Sequence, residues 1–331
     1  MTSSLKRIWI TLALLVFGSI LPAIVEAQCP SYITQWGSNV GGVATDAAGN
    51  VYVVQQSNAR IQKFTSTGTY LTQWGSLGSG NGEFWGPSGI ATDAAGNVYV
   101  TDSSNNRIQK FTDTGTYLTQ WGSPGSGNGE FEDPYAVATD VSGDVYVVDL
   151  NNFRIQKFTN SGTYITQWGS GGLDDGQFGV AIGIATDADG NVFVLDRANQ
   201  RRVQKFTNTG TYLTQWGSPG SGDGQFDFPV GLATDPTGAV YVVDQNNSRI
   251  QKFSGSGTYL CQWGSFGSGD GQFDFPLGVA IDASGNVYIT DGNNGRIQKF
   301  SSAPTPTNAS SWGHLKRLYR QHPTLASTKP H

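Results

Sequence analysis

Histidine is almost missing from this chain, and its three copies all lie near the C-terminus, at His314, His322 and His331. Residues 28–300 therefore contain no histidine to act as the base of a Ser-His-Asp or Cys-His set. The same stretch also lacks the imidazole ligands that most catalytic zinc sites use. We therefore predict no catalytic residue, no bound metal and no cofactor in this part of the chain.

Cysteine and basic residues are also scarce. Cys29 and Cys261 are the only two cysteines, too few for a cysteine-rich zinc site. Charged residues make up 14% of the chain, and residues 28–300 hold 14 Lys or Arg against 24 Asp or Glu, a net charge of −10. Because binding to nucleic-acid phosphates needs a basic surface, we predict no nucleic-acid partner.

A long apolar run occurs only at the N-terminus. Lys6 and Arg7 precede the mostly apolar residues 8–21, and Ala27 lies in a small-residue cleavage site, which predicts a signal peptide over residues 1–27. An uncleaved anchor is the alternative, since the apolar run is nearly long enough to span a bilayer. We expect cleavage, no membrane span in the mature protein, and a bacterial location that is secreted, periplasmic or in the cell envelope.

Glycine is abundant, at 45 of 331 residues, and it separates the short strands of a repeated unit. In the copy at residues 91–123, four runs rich in β-branched and aromatic residues are bounded by Gly, Asn and Asp, the pattern of strands joined by tight turns. We label these strands a to d; they lie near Asp93, Tyr99, Ile108 and Trp121. Strand c begins at Arg60, Arg107, Arg154, Arg202, Arg249 and Arg296, and strand d ends at Trp36, Trp74, Trp121, Trp168, Trp216 and Trp263. A period of 47 or 48 residues with four strands predicts a β-propeller rather than an open solenoid.

The strand order predicts a closed ring. The sixth a-b-c set ends at Phe300 without a d strand, while a lone d strand at residues 32–37 precedes the first set. In a closed ring the N-terminal strand completes the last blade, and no sheet edge is left open there. We therefore predict an all-β fold, a six-bladed propeller of four-stranded blades over residues 28–300.

Closure also places the two cysteines in adjacent blades. Cys29 lies just before the N-terminal strand, and Cys261 occupies a d-strand position that is Thr in other copies. An oxidising compartment would permit a disulfide. The alternative is two separate thiols, because outer strands of neighbouring blades splay apart and a disulfide needs Cα atoms within about 7 Å.

The unit resembles the NHL repeat over roughly residues 31–300. The matching motif is Gly82-Glu83-Phe84, Pro87, Gly89-Ile90-Ala91, Asp93, Gly96-Asn97-Val98-Tyr99-Val100, Asp102, Asn105 and Arg107 to Phe111. The resemblance implies a six-bladed NHL propeller but says little about function, since one fold carries many sites.

Several activities of similar propellers are not supported by the residues present. Some NHL-like propellers are amidating lyases, and others are streptogramin-lyase-like; both rely on histidine. The RING of NHL ubiquitin ligases needs many Cys and His. Gluconolactonase-like propellers bind a metal through Glu, Asn and Asp in the channel. Here Glu83, Glu130 and Glu132 fall in crossover loops between blades. We interpret repeated carboxylates such as Asp93 and Asp102 as structural, because a catalytic set needs different residues at one point.

Departures from the repeat predict where a partner binds. The b–c corners and the d–a crossovers should emerge at one end of the ring, and blades 1 and 4, which depart most, should face each other across the channel. Large apolar residues lie between them in sequence, and exposed aromatics and Arg are common interface anchors. The candidate binding residues are Gln55, Trp85, Tyr135, Leu150, Phe153, Asp174, Asp175, Arg197 and Arg201.

The sequence therefore favours a secreted, monomeric, non-catalytic binding scaffold that recognises an unknown protein or an envelope or extracellular ligand on this face. The alternative is a propeller enzyme of the lyase or hydrolase type, with a metal or acid–base site that lacks histidine. Residues 301–331 are predicted to be a Pro/Ser/Thr linker followed by a basic amphipathic tail.

Overall fold

The computed structural model describes residues 29–37 and 40–301, which form 24 strands in six four-stranded antiparallel sheets. This confirms the six-bladed propeller. The predicted signal peptide and C-terminal tail lie outside the described residues. Within these two ranges, no helix has the length and apolar character needed to cross a membrane.

The blades follow one another along the chain, and each runs from strand a at the channel to strand d at the rim. Blade 1 contains β2 (Val43–Thr45), β3 (Val51–Gln55), β4 (Arg60–Phe64) and β5 (Tyr70–Trp74); blade 2 contains β6 (Pro87–Thr92), β7 (Val98–Asp102), β8 (Arg107–Phe111) and β9 (Tyr117–Trp121); blade 3 contains β10 (Pro134–Thr139), β11 (Val145–Asp149), β12 (Arg154–Phe158) and β13 (Tyr164–Trp168). Blade 4 contains β14 (Ala181–Thr186), β15 (Val192–Asp196), β16 (Arg202–Phe206) and β17 (Tyr212–Trp216); blade 5 contains β18 (Pro229–Thr234), β19 (Val240–Asp244), β20 (Arg249–Phe253) and β21 (Tyr259–Trp263); blade 6 contains β22 (Pro276–Ile281), β23 (Val287–Asp291), β24 (Arg296–Ser301) and β1 (Ser31–Trp36). Short 3-10 turns follow β3 and β7 at Gln56–Asn58 and Ser103–Asn105.

The ring closes through β1, as predicted. β1 pairs antiparallel with β24, and the register runs from Ser31 opposite Ser301 to Trp36 opposite Ile297. The first strand of the described chain is therefore the outer strand of the last blade.

Cys29 and Cys261 form a disulfide, with their Cα atoms 5.8 Å apart. The alternative of two separate thiols is therefore wrong. Cys29 precedes β1 rather than lying within it, so the chain can reach from blade 6 to β21 of blade 5 even though the outer strands diverge.

We expect replacement of the two cysteines, Cys29→Ser with Cys261→Ser, to lower the free energy of unfolding by about 3–5 kcal/mol. The disulfide joins residues 232 positions apart, and a long closed loop restricts the unfolded chain strongly. Urea unfolding with and without reductant measures the effect. Reduction of the wild-type protein should reproduce the double variant, and an unchanged midpoint under reduction would contradict the prediction.

Aromatic rings and glycine turns lock neighbouring blades together. The Trp74 ring of blade 1 lies 5.9 Å from the Phe111 ring of blade 2. It also covers the blade 2 turn at Gly115, where a Cβ would come within 2.5 Å of the indole and φ is +89°. Only glycine fits such a turn without strain, and the repeated Trp and Phe residues therefore form the contacts between blades.

The repeated carboxylates are fully used by the fold. Asp93 accepts hydrogen bonds from the side chains of Asn97 and Tyr99, at 2.7 and 2.8 Å. Asp102 is completely buried and accepts from the Nε of Arg107 at 2.7 Å. It also accepts from the backbone N–H of Trp85 at 2.7 Å, which comes from the crossover rather than from the turn that follows Asp102.

The hydrogen bond from the Trp85 N–H to Asp102 shows that the b–c corners and the d–a crossovers share one end of the ring, as predicted. The backbone N–H of Ser104, in the corner of blade 2, also donates to the Trp85 carbonyl at 3.0 Å. We call this end the upper face.

Candidate functional site at the mouth of the central channel

A cavity of about 320 Å³ opens where the central channel reaches the upper face. Its volume lies at the small end of the range for pockets that bind small molecules. Every blade contributes a residue from the start of strand a. These six equivalent positions carry six different residues, Gly41, Ser88, Tyr135, Ile182, Val230 and Leu277.

The residue that follows each of these six is nearly uniform, because the backbone of the next blade passes too close for a large side chain. It is glycine in five blades and alanine in the third. At Gly89, for example, a Cβ would lie 2.8 Å from the Cα of Ala136 in the next blade. The architecture therefore dictates this small residue and leaves the residue before it free to vary. Variation at the preceding position shapes the cavity.

The residue that follows strand b also reaches the cavity in three blades, as Gln56, Arg197 and Gln245. The guanidinium carbon of Arg197 lies 4.3 Å from the centroid of the Phe228 ring. Within the described residues, no hydrogen bond or ion pair involves that guanidinium. By contrast, Arg107 pairs with Asp102, and Arg201 pairs with Asp227 at 2.8 Å. The positive charge of Arg197 at the mouth is therefore uncompensated.

Gln245 lines the same cavity, and its side chain includes an unpaired acceptor. Its side-chain Nε2 donates to the Pro276 carbonyl at 3.0 Å, which orients the carboxamide, and the residue is only 3% exposed. Its Oε1 is buried and has no partner; in the described part of the chain, the other unpaired buried side-chain atoms are the indole nitrogens of the repeated Trp residues. A buried acceptor without a donor costs roughly 1–3 kcal/mol, so this oxygen calls for a donor from water or a ligand.

Two phenylalanines at the rim of the cavity are held in the left-handed backbone region. Phe228 has φ of +55° and Phe275 has φ of +60°, while the equivalent residues of blades 2 and 3 are Gly86 and Asp133. A bulky residue in this region costs roughly 1–2 kcal/mol. The two Phe side chains are 38% and 46% exposed, so burial of the rest of each ring offsets roughly 1 kcal/mol or more of this strain. Phe153 has the same backbone conformation outside the cavity, with φ of +55°, so this strain is not peculiar to the site.

The structure brings two of the predicted binding residues, Tyr135 and Arg197, to the cavity. Leu150 lies behind it, packed against the same apolar cluster as Tyr135. Gln55 is only 1% exposed and accepts from the Nε of Arg60 at 2.6 Å, so it takes the place of the aspartate found in other blades.

The other predicted residues occupy the upper face outside the cavity. Trp85 and Phe153 are exposed, at 60% and 40%, and so are Asp174 and Asp175 of the blade 4 crossover. Arg201 is engaged with Asp227. These residues do not converge with Tyr135 and Arg197 on one pocket.

Sequence reasoning missed Phe228, Phe275, Leu277 and Gln245. It compared whole blades, and blades 5 and 6 follow the repeat closely. Comparison position by position would have found these residues, because Asp-Phe-Pro occurs twice where other copies have Gly or Asp before the proline.

The glutamates of the crossovers have a structural role. The Oε2 of Glu83 accepts from the backbone N–H of Gly80 at 2.9 Å and closes the crossover loop. Gln225 and Gln272 close the equivalent loops in the same way, at 3.0 and 2.9 Å. The negative charge is therefore not needed there.

The residues that line the cavity offer little for catalysis. They include no carboxylate, histidine or cysteine, and Tyr135 and Arg197 are the titratable side chains among them. Across residues 29–37 and 40–301, no group of three or more His, Cys, Asp or Glu is arranged to hold a metal ion.

Comparison with known proteins places the repeats in a family. The sequence model of the NHL repeat matches residues 84–111, 131–158, 226–253 and 273–300. This chain is an NHL-repeat protein. No curated protein matches it.

Solved structures share the fold of this NHL-repeat propeller at low identity. A Bacteroides thetaiotaomicron protein of unknown function is 19% identical with a TM-score of 0.62, over 82% of this chain and 72% of that chain. A Xanthomonas campestris gluconolactonase is 13% identical with a TM-score of 0.60, over 84% and 96%. A catalytically inactive histidine-to-alanine variant of Staphylococcus aureus virginiamycin B lyase, with quinupristin, is 17% identical with a TM-score of 0.56, over 83% and 88%.

Proposed function

We propose that this NHL-repeat protein is a secreted, non-catalytic binding protein whose ligand site is the cavity at the upper mouth of the channel. One observation carries the proposal: the lining residues vary from blade to blade in an otherwise uniform repeat. Where most architectural positions are kept alike, varied side chains converging on one pocket are best explained by a ligand.

The chemistry of the lining favours binding over catalysis. Acid–base catalysis needs a donor and an acceptor of protons within reach of one substrate, and the lining holds no carboxylate, histidine or cysteine to form such a pair. A histidine-to-alanine change accompanies loss of catalysis in the lyase. Residues 28–300 of this chain contain no histidine at all. The identities to the lyase and the gluconolactonase are too low to transfer an activity.

Two features support export from the cytoplasm. Residues 1–27 have the composition of a signal peptide. Cys29 and Cys261 form a disulfide, and such bonds persist mainly in oxidising compartments.

The double variant Phe228→Gly with Phe275→Gly tests the site, with the neutral fluorophore N-phenyl-1-naphthylamine as the probe. We expect the variant to bind the probe about tenfold more weakly or worse, because two aromatic walls are lost. Its melting temperature should change little, since relief of the left-handed strain offsets the lost partial burial of the two rings. Fluorescence titration and thermal unfolding measure the two effects.

Phe153→Gly is the matched control. Phe153 has the same kind of backbone strain, with φ of +55°, and similar exposure, but it lies outside the cavity. It should leave probe binding unchanged. The proposed site would be wrong if the wild type and the double variant bind the probe equally well. It would also be wrong if Phe153→Gly weakens probe binding as much as the double variant does.

A further inference from the structure

The structure assigns a ligand class to the upper cavity: we infer a small amphipathic anion, with a carboxylate or sulfonate group bound by Arg197, a hydrogen-bond donor bound by Gln245, and an apolar body. This inference rests on the proposed function, since it specifies what the cavity takes. Three independent features of the lining support it.

The first feature is the charge at the mouth. Residues 28–300 carry a net charge of −10, yet the lining of the cavity holds one cation and no carboxylate. The nearest acid in sequence, Asp196, is completely buried and bound to the backbone N–H of Val180, at 2.9 Å, and to Arg202. It therefore has its own partners, and Arg197 is left to an anion from outside.

The identity of the cation favours an acid group that presents two oxygens side by side. A guanidinium presents paired N–H donors that match two oxygens of a carboxylate or a sulfonate, and such charge-assisted pairs are stronger than neutral hydrogen bonds. A neutral ligand in the cavity would displace water from Arg197 and offer it at best weaker, uncharged acceptors. A cation would be repelled.

The second feature is the orphan acceptor of Gln245. Its Nε2 donates to the Pro276 carbonyl, and its Oε1 has no partner among the described residues. An N–H or O–H on the ligand would satisfy that oxygen. The third feature is the apolar wall of Phe275, Leu277 and Val230, which fits a hydrocarbon body, aromatic or aliphatic.

Two fluorophores that differ by one acid group test the inference. 8-Anilinonaphthalene-1-sulfonate has the aromatic body, the N–H and a sulfonate, while N-phenyl-1-naphthylamine lacks only the sulfonate. We expect the wild-type protein to bind the sulfonate about tenfold more tightly. Arg197→Gln should abolish this preference by weakening the binding of the sulfonate, while Arg197→Lys should restore part of it.

Arg201→Gln is the matched control, because Arg201 lies at the same corner but pairs with Asp227 outside the cavity. It should keep the full preference for the sulfonate. Two results would overturn the inference. If both probes bind equally and Arg197→Gln has no effect, the inferred preference for an anion is wrong. The proposed binding site would still stand in that case, provided that Phe228→Gly with Phe275→Gly weakens binding of the neutral probe. If neither probe responds to any cavity variant, the site itself is wrong.

Discussion

Deletion of residues 28–37 should abolish the folded monomer, because these residues include the strand that closes the ring. β1 supplies the fourth strand of blade 6, and the Trp36 ring lies 6.1 Å from Tyr288 in that blade. Trp36 also covers the blade 1 turn at Gly68, where a Cβ would come within 2.6 Å of it. One strand therefore joins the last blade to the first.

The expected loss is large compared with the stability of a domain. Several ladder hydrogen bonds at about 1 kcal/mol each, with burial of Trp36 at roughly 2–3 kcal/mol and the disulfide, together approach the usual total of about 5–15 kcal/mol. The deletion also bares an edge of β24, which can pair with another chain. Size-exclusion chromatography with light scattering, and thermal unfolding, should show aggregation or an unfolded chain.

Cys29→Ser separates the two contributions of the N-terminal segment. It removes the disulfide but keeps β1, so it should lower the melting temperature and leave a monomer. A truncated protein that remains monomeric with the wild-type melting temperature would show that β1 does not stabilise the ring.

Alkaline pH should unfold the protein abruptly, above about pH 10. In five blades a buried tyrosine of strand b donates its hydroxyl to the aspartate that directly follows strand a; these tyrosines are Tyr52, Tyr99, Tyr146, Tyr241 and Tyr288. Burial first, and then the adjacent carboxylate, raise the pKa of each tyrosine far above its ordinary value. The folded protein therefore keeps these protons when the unfolded chain releases them.

The sign follows from the raised pKa. The stabilisation is fully present below the unfolded tyrosine pKa of about 10, and it is lost as pH rises above that value. Each tyrosine lowers the free energy of unfolding by about 1.4 kcal/mol per pH unit, so five together give about 7 kcal/mol per unit. Domain stability is about 5–15 kcal/mol, so the transition should fall within roughly one to two pH units above pH 10. Urea unfolding at a series of pH values measures the slope.

Blade 4 supplies the control for this prediction, because it has Phe193 at the equivalent position. Tyr99→Phe copies that natural arrangement and should reduce the alkaline slope by about one fifth. The difference between wild type and variant isolates the tyrosine from lysines that also titrate at this pH. Identical slopes, or tyrosine absorbance that titrates near pH 10 while the protein is folded, would contradict the prediction.

The propeller and its closure could be predicted from the sequence alone. Turns, strand lengths and the repeat period depend on local residue patterns, which a linear sequence displays. Closure needed only a count of strands, since the missing d strand after Phe300 matches the lone strand before blade 1. The end of the ring that carries the corners and crossovers also followed from alternation of strand direction.

The disulfide and the cavity were decided by tertiary structure. Whether Cys29 reaches Cys261 depends on a distance across two blades, which no repeat pattern contains. The sequence predicted Tyr135 and Arg197 but could not show that they meet Phe228, Phe275 and Gln245 around one pocket. These residues come from four blades and converge only because the ring brings equivalent positions to a common axis. The strain of the two phenylalanines and the orphan oxygen of Gln245 are likewise properties of three-dimensional geometry.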